Sequence, residues 1–289
     1  MTIAVTGATG HLGRLAIDHL LARGVPADGI VAVGRSAEKL AVVAEQTGVR
    51  TAVADFGDPS SLDAAFAGAD SVVFVSGSEV GRREAQHANV IAAVQRSGAA
   101  RVVYTSAPSA TDTALILAPD HAFTERALAE SGVPAIVLRN GWYHENYAGS
   151  FAQASASGVY TASTGEGRVS SAARSDYAEA IAAVLTSEGH EGAVYELSGD
   201  TAWDGAGFAA AASEALGREI VFSSVTPEEH LALLTAAGLD EGTAGFVVAL
   251  DGNIRDGLLG HTPGTLSKLI GHPTQPLVDY FRTLASNES

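Results

Sequence analysis

The residues best suited to chemistry stand near the start of the chain, in Thr6-Gly7-Ala8-Thr9-Gly10-His11-Leu12-Gly13. Their glycines are spaced G-x-x-G-x-x-G, after the apolar run Ile3-Ala4-Val5 and before an amphipathic segment through Ile17, Leu20 and Leu21. A phosphate can approach a main chain closely only where no Cβ intervenes, so Gly7 and Gly10 keep the turn open and Gly13 lets the helix pack against the strand. The N–H groups of the helix's first turn, and its dipole, then face an anion. This predicts a dinucleotide site in which Gly7, Thr9, Gly10, His11, Leu12 and Gly13 surround the phosphates. An NAD-selective site carries Asp or Glu about 20 residues further on. Here the strand ends Gly34-Arg35-Ser36, and Arg35 is expected to pair with a 2′-phosphate by a charge-assisted fork. NADPH is therefore the expected cofactor, with NADH weaker. Asp55 and Phe56 end the third strand, with Asp55 placed to accept a hydrogen bond from the adenine amine. Val75, Ser76 and Gly77, with Ser78 beyond, end the fourth, where small residues suit close passage beside the ribose and nicotinamide. Ser106, ending the fifth strand, is expected at the same cofactor.

Those positions need a frame that brings strand ends together. Apolar runs at residues 30–33, 49–56, 71–75, 101–106 and 134–138 alternate with amphipathic segments. The β-α alternation predicts a Rossmann-like, doubly wound parallel sheet over residues 1–140, the NADP(H)-binding part. Residues 141–289 read as a smaller, mostly helical substrate-binding cap that shares strands with the first part. Hydrophobic residues are 46% and charged residues 17%, enough for a large core. A net charge of −16 argues against nucleic acid and anionic membranes as partners. The absence of cysteine excludes thiol nucleophiles and Cys-ligated metals. There is no basic leader and no apolar run long enough to span a bilayer, so a cytoplasmic protein is expected, monomeric or homodimeric. His87, His190 and His272 have no partner at ligand spacing, so no metal is expected. Gly-x-Ser-x-Gly is absent, which removes one hydrolase reading.

Beyond the glycine loop, four stretches carry a resemblance: Ser76-Gly77-Ser78-Glu79-Val80-Gly81, Leu138-Arg139-Asn140-Gly141-Trp142-Tyr143, the pair Gly189-His190-Glu191-Gly192 and Val194-Tyr195-Glu196-Leu197, and Thr265 to Thr274. Together they resemble the bacterial type-2 NAD(P)H:quinone oxidoreductases, in the NmrA-like branch of the atypical short-chain dehydrogenase/reductases. The resemblance runs nearly end to end. It implies a Rossmann fold, NADPH, no flavin, and direct hydride transfer to a small aromatic quinone. The same branch holds NADP(H)-binding redox sensors that act through a protein partner, and a reductase of a larger natural-product quinone is a further alternative. Ordinary short-chain dehydrogenases use Tyr-x-x-x-Lys; here Pro108 follows Tyr104 at that spacing and Tyr147 follows Tyr143. Alcohol dehydrogenation by that machinery is not expected. A quinone needs less help, because proximity and orientation supply most of the catalysis.

Related reductases often set a polar side chain near the nicotinamide where His121 stands, so His121 is a candidate to steady that ring or donate a proton. Asn140, Trp142, Tyr143 and Tyr147 follow the sixth strand, where a flat acceptor would stack. Tyr143 is the candidate for both substrate contact and catalysis.

Overall fold

Short apolar strands joined by helical crossovers form a parallel sheet, because each crossover covers a face that water would otherwise reach. The structure, a computed structural model, describes residues 1–77, 79 and 81–287. The chain runs β1 (Ile3–Val5), α1 (His11–Ala22), β2 (Ile30–Gly34), α2 (Ala37–Thr47), β3 (Arg50–Val53) and α3 (Pro59–Phe66). It continues through β4 (Ser71–Phe74), α4 (Arg83–Ser97), β5 (Arg101–Ser106), α5 (Ala118–Ser131), β6 (Ala135–Asn140), α6 (Ala148–Ser157) and β7 (Val159–Ala162). Then follow α7 (Arg174–Thr186), β8 (Val194–Leu197), α8 (Gly205–Leu216), β9 (Val221–Ser224), α9 (Pro227–Ala236), α10 (Glu241–Arg255), α11 (Thr265–Ile270) and α12 (Leu277–Asn287).

These elements group into two compact units. The first holds residues 1–111, 117–140 and 174–197, and the second holds 112–116, 141–173 and 198–289. The first unit contains a seven-stranded sheet of order β3-β2-β1-β4-β5-β6-β8, parallel throughout. The expected Rossmann-like sheet is therefore present. Strand order reverses between β1 and β4, which leaves a crevice at their carboxyl ends. Within 141–289, the stretch read as a cap that shares strands with the first part, residues 174–197 group with the first unit: the chain leaves the sheet at Asn140 and returns to it. The reason is pairing. β8 lies beside β6 from Val137↔Val194 to Asn140↔Leu197 and satisfies an edge that would otherwise be open. α7 buries Tyr177, Ile181, Val184 and Leu185 and ties to α1 through His19 and Ser175, 2.8 Å apart. Val72, Phe74, Val102 and Tyr104 form one core with Phe66, Val90, Val94 and Leu128.

Helix ends follow local sequence. Ser36 caps α2 by accepting from the Lys39 N–H, and Asp58 caps α3 by accepting from the Ser60 N–H, with Pro59 in the first turn. α1 differs: Gly10 stands at its N-cap, no side chain caps it, and its first turn holds no acid.

The second unit pairs β7 with β9 in parallel, Val159↔Val221 to Ala162↔Ser224. Its centre is aromatic: Tyr160 stacks on Phe208 at 3.8 Å between centroids, and Phe151 on Phe281 at 4.5 Å. No helix among the described residues is long and apolar enough to cross a membrane.

Candidate functional site

The crevice of the first unit begins at the glycine turn. Gly7 has φ +62°, a left-handed conformation that glycine adopts without strain, and its carbonyl accepts from the Gly10 N–H at 2.8 Å. A Cβ on Gly13 would meet the Gly7 carbonyl carbon at 2.6 Å and the Thr6 carbonyl oxygen at 2.9 Å, so strand and helix approach as closely as backbones allow. Around this turn lies a cleft of about 290 Å³. Gly7, Thr9, Gly10, His11, Leu12 and Gly13 line it on one side; Arg35 comes from the end of β2, and Asp55 and Phe56 from the end of β3. Val75, Ser76, Gly77, Glu79 and Gln86 line it from beyond β4, and Val33, Gly34 and Ala54 complete it. The structure thus brings together every position named for the cofactor except Ser106. That hydroxyl is buried and donates to Glu125 at 2.5 Å. Ser78 and Val80, noted from sequence, lie outside the described residues.

The wall after β4 is held by side chains that the motif reading did not find. Three successive backbone N–H groups each meet a side-chain acceptor: Val75 on Thr6 Oγ1, Ser76 on Thr105 Oγ1 and Gly77 on His87 Nε2, all at 3.0 Å. Arg83 Nε donates to the Gly77 carbonyl at 2.6 Å, so this peptide is clamped on both sides. The network also assigns the His87 tautomer. Thr124 Oγ1 donates its one proton to the Asp120 carbonyl, so His87 Nδ1 donates to Thr124 and Nε2 is bare to accept from Gly77. Burial agrees, pushing the His87 pKa down to about 3 and keeping the ring neutral.

Arg35 sits where the sequence put it, but an acid does face it. Arg35 Nη1 meets Glu79 Oε1 at 2.6 Å, and that acid comes from beyond β4, not from the end of β2. Asp55 accepts from the Gly57 N–H at 2.6 Å, closing its own turn.

His121 lies inside the first unit, 6% exposed, and shares a 2.8 Å hydrogen bond with the Tyr104 hydroxyl. It is not among the residues that line the cleft. Burial pushes its pKa down to about 4, assisted by the nearby Arg83 cation, and burial raises that of Tyr104. Asn140 is buried at the end of β6. In the second unit Trp142 and Tyr143 are half-buried, and the Trp142 carbonyl accepts from the Ala172 N–H. Tyr147 is core: its ring packs edge-on against Trp203 at 4.7 Å and is 7% exposed, which leaves little face for a ligand.

Two other clusters in the second unit could be mistaken for sites. A cavity of about 550 Å³ is lined in part by His144, Arg168, Asp200 and Trp203. His144 is fully engaged there: Nε2 donates to the Gln275 carbonyl, and Nδ1 meets Ser171 Oγ, which accepts from the Trp203 indole. Ser163, His230 and Asp251 also converge. Yet Ser163 Oγ and Asp251 Oδ2 both face the same nitrogen, His230 Nδ1, at 3.3 and 2.9 Å. A proton relay from serine to carboxylate needs both ring nitrogens, so this is not a hydrolytic triad. Among the described residues no group of three or more His, Cys, Asp or Glu is placed to hold a metal.

Buried histidines carry a consequence for stability. His87, His121 and His144 have pKa values of about 3, 4 and 4, all lowered from 6.5 chiefly by burial. Between pH 6.5 and their folded values the unfolded chain binds more protons. Their contribution is complete above that window and declines as pH falls through it. Each such group adds a slope of about 1.4 kcal/mol per pH unit while the difference lasts. Urea unfolding in a pH series across that window should show stability falling steeply toward acid; a flat profile would mean that these rings titrate normally.

The site's geometry has counterparts in known proteins. Residues 7–188 match the NAD(P)H-binding family. Quinone oxidoreductase 2 of Escherichia coli (strain K12) is 42% identical over 277 residues, 96% of each chain. The crystal structure of an NADPH-dependent quinone oxidoreductase from Escherichia coli, complexed with NADPH, superimposes with a TM-score of 0.93 at 40% identity, covering 98% of this chain and 100% of that one. Triphenylmethane reductase of Citrobacter sp., complexed with NADP(H), gives a TM-score of 0.93 at 36% identity over 98% of this chain and 100% of its own. The glycine turn, the sheet order and this extent of identity agree: the chain belongs to the NAD(P)H-binding family, in the branch of the type-2 quinone oxidoreductases.

Proposed function

We propose that this protein is an oxidoreductase that transfers a hydride from NADPH to a small aromatic quinone, without a flavin and without a metal. The observation that carries the reading is the cleft at the β1–β4 reversal, where an uncapped helix end and a backbone that admits no Cβ at Gly13 fit a pyrophosphate. The relationship to quinone oxidoreductase 2 supports the choice of acceptor. When bound, NADPH supplies the hydride, and the quinone takes it together with one proton to become the hydroquinone.

The chain's own part is positional. The Gly7–Gly13 turn holds the pyrophosphate, Asp55 takes the adenine amine, and Arg35 takes the 2′-phosphate. Thr6, Thr105 and His87 fix the wall at Val75, Ser76 and Gly77, against which the ribose and nicotinamide lie. Asn140, Trp142 and Tyr143 are the candidates for contact with the acceptor. His121 is neutral near pH 7 and tied to Tyr104, and the product oxygens take their proton from water or a weak acid. A site without a dedicated acid suits an acceptor whose reduction restores aromaticity.

Two measurements test this. NADPH deuterated on one face of C4 should lose its label only from that face during single-turnover quinone reduction, with a primary isotope effect. Arg35→Ala should weaken NADPH binding by about 1.5–3 kcal/mol, the range for hydrogen bonds to charged groups, and leave NADH unchanged. Equal losses for both cofactors would remove Arg35 from the 2′-phosphate, and flavin absorbance in the pure protein would overturn the direct transfer. Binding of NADPH with no turnover across a panel of quinones would favour the sensor reading instead.

A further inference from the structure

Arg35 is the cation that a 2′-phosphate would use, and a carboxylate already occupies it. Glu79 Oε1 lies 2.6 Å from Arg35 Nη1, while Glu79 Oε2 accepts from Arg82 Nη1 at 3.2 Å and from Gln86 Nε2 at 3.1 Å. Three donors therefore hold this carboxylate at the rim of the cleft. Glu79 is the more sheltered member, with a side chain 30% exposed against 63% for Arg35 and 75% for Arg82. Two residues earlier in the chain, the Gly77 peptide is anchored by His87 and Arg83.

We propose that Glu79 is a specificity-determining residue: its carboxylate competes with the cofactor's 2′-phosphate for Arg35 and so limits the preference for NADPH over NADH. The inference rests on the reading of the cleft as a dinucleotide site. NADH has no 2′-phosphate and leaves the Arg35–Glu79 pair intact. NADPH brings a second anion to the same guanidinium and must displace the carboxylate. Displacement does not strand Glu79, because Arg82 and Gln86 remain as its donors. The swap therefore exchanges one exposed ion pair, and the effect on affinity is a moderate factor rather than an all-or-none switch.

Glu79→Gln keeps the size of the side chain, removes its charge and turns one of its two acceptor oxygens into an NH2 donor. Titrations of the purified full chain, read by nicotinamide fluorescence, should show NADPH binding tightened about three- to fivefold, the size of one exposed ion pair, and NADH binding unchanged. The gain should shrink at high salt. In an Arg35→Ala background the same substitution should have no effect, since the contested cation is gone. Weaker binding of both cofactors would make Glu79 a clasp and overturn the proposal, as would an unchanged NADPH/NADH ratio. If the unaltered protein binds neither dinucleotide, the reading of the cleft fails and takes this inference with it. If it binds both and Glu79→Gln leaves the ratio alone, only the inference fails.

Discussion

Gly13→Ala is expected to abolish tight NADPH binding and to lower stability by about 3 kcal/mol, at the upper end for overpacking a dense interior. The new Cβ would meet backbone: the Gly7 carbonyl carbon at 2.6 Å, the Thr6 carbonyl oxygen at 2.9 Å and the Gly7 carbonyl oxygen closer still. A flexible side chain could swing aside, but these atoms belong to the turn that cradles the pyrophosphate. Relief requires α1 to move off β1, which spoils both the packing and the alignment of N–H groups on the anion. Gly149→Ala is the control. It also lies in a helix, but a Cβ there meets nothing within 4 Å, so the change should be neutral or stabilising by about 0.5–1 kcal/mol. Thermal melts and NADPH titrations of both variants decide the matter. Near-normal NADPH affinity in Gly13→Ala would mean that the close approach of helix and strand is not what binds the phosphates.

Arg139→Met is expected to destabilise the protein by about 3–5 kcal/mol, the cost of leaving a buried charge without its partner. Arg139 grips Glu125 with two donors, Nε at 3.0 Å and Nη2 at 2.6 Å, and reaches Glu196 with Nη1 at 2.8 Å. The Glu125 side chain is only 8% exposed and also accepts from Ser106. Glu196 in turn accepts from the backbone N–H of Ser109, whose φ of +46° is unusual for a residue with a Cβ. One guanidinium thus ties the ends of β5, β6 and β8 together, and the pair raises the Arg139 pKa further above its already high value. Replacing both partners, Arg139→Met with Glu125→Leu, should recover much of the loss, because the buried carboxylate is then gone and Glu196, 35% exposed, keeps the Ser109 N–H. Urea denaturation of the three proteins separates these terms. A loss in Arg139→Met of less than about 1 kcal/mol would put this network in the class of surface ion pairs.

Much of this frame is written locally. The apolar runs at Ile30–Val33, Ser71–Phe74 and Arg101–Ser106 become strands because side chains buried on both faces need no polar alternation. Asp58-Pro59 starts a helix through contacts only two residues apart, and the glycine turn bends through the φ freedom of Gly7 itself. Arg35 could be assigned to the cleft because a strand end and a count of residues suffice to place it.

The features set by packing have the opposite character. His121 reads as a histidine near a helix start, and only the packing of α5 on the sheet decides that it is an interior partner of Tyr104. Tyr147 reads as a stacking surface until Trp203 and Phe208 close over it from elsewhere in the chain. The acid that faces Arg35 lies 44 residues away, and Thr105 holds the Ser76 N–H across 29. The last two pairs exist because the sheet sets β1 between β2 and β4, and β4 beside β5. Periodicity, turn chemistry and capping act over a few residues, so the sequence by itself determined the strands, the turn that accepts a phosphate and the cation beside it. Which polar groups meet across the cleft, and which aromatic faces remain open, depends on strand order and burial, so only the tertiary structure decided them.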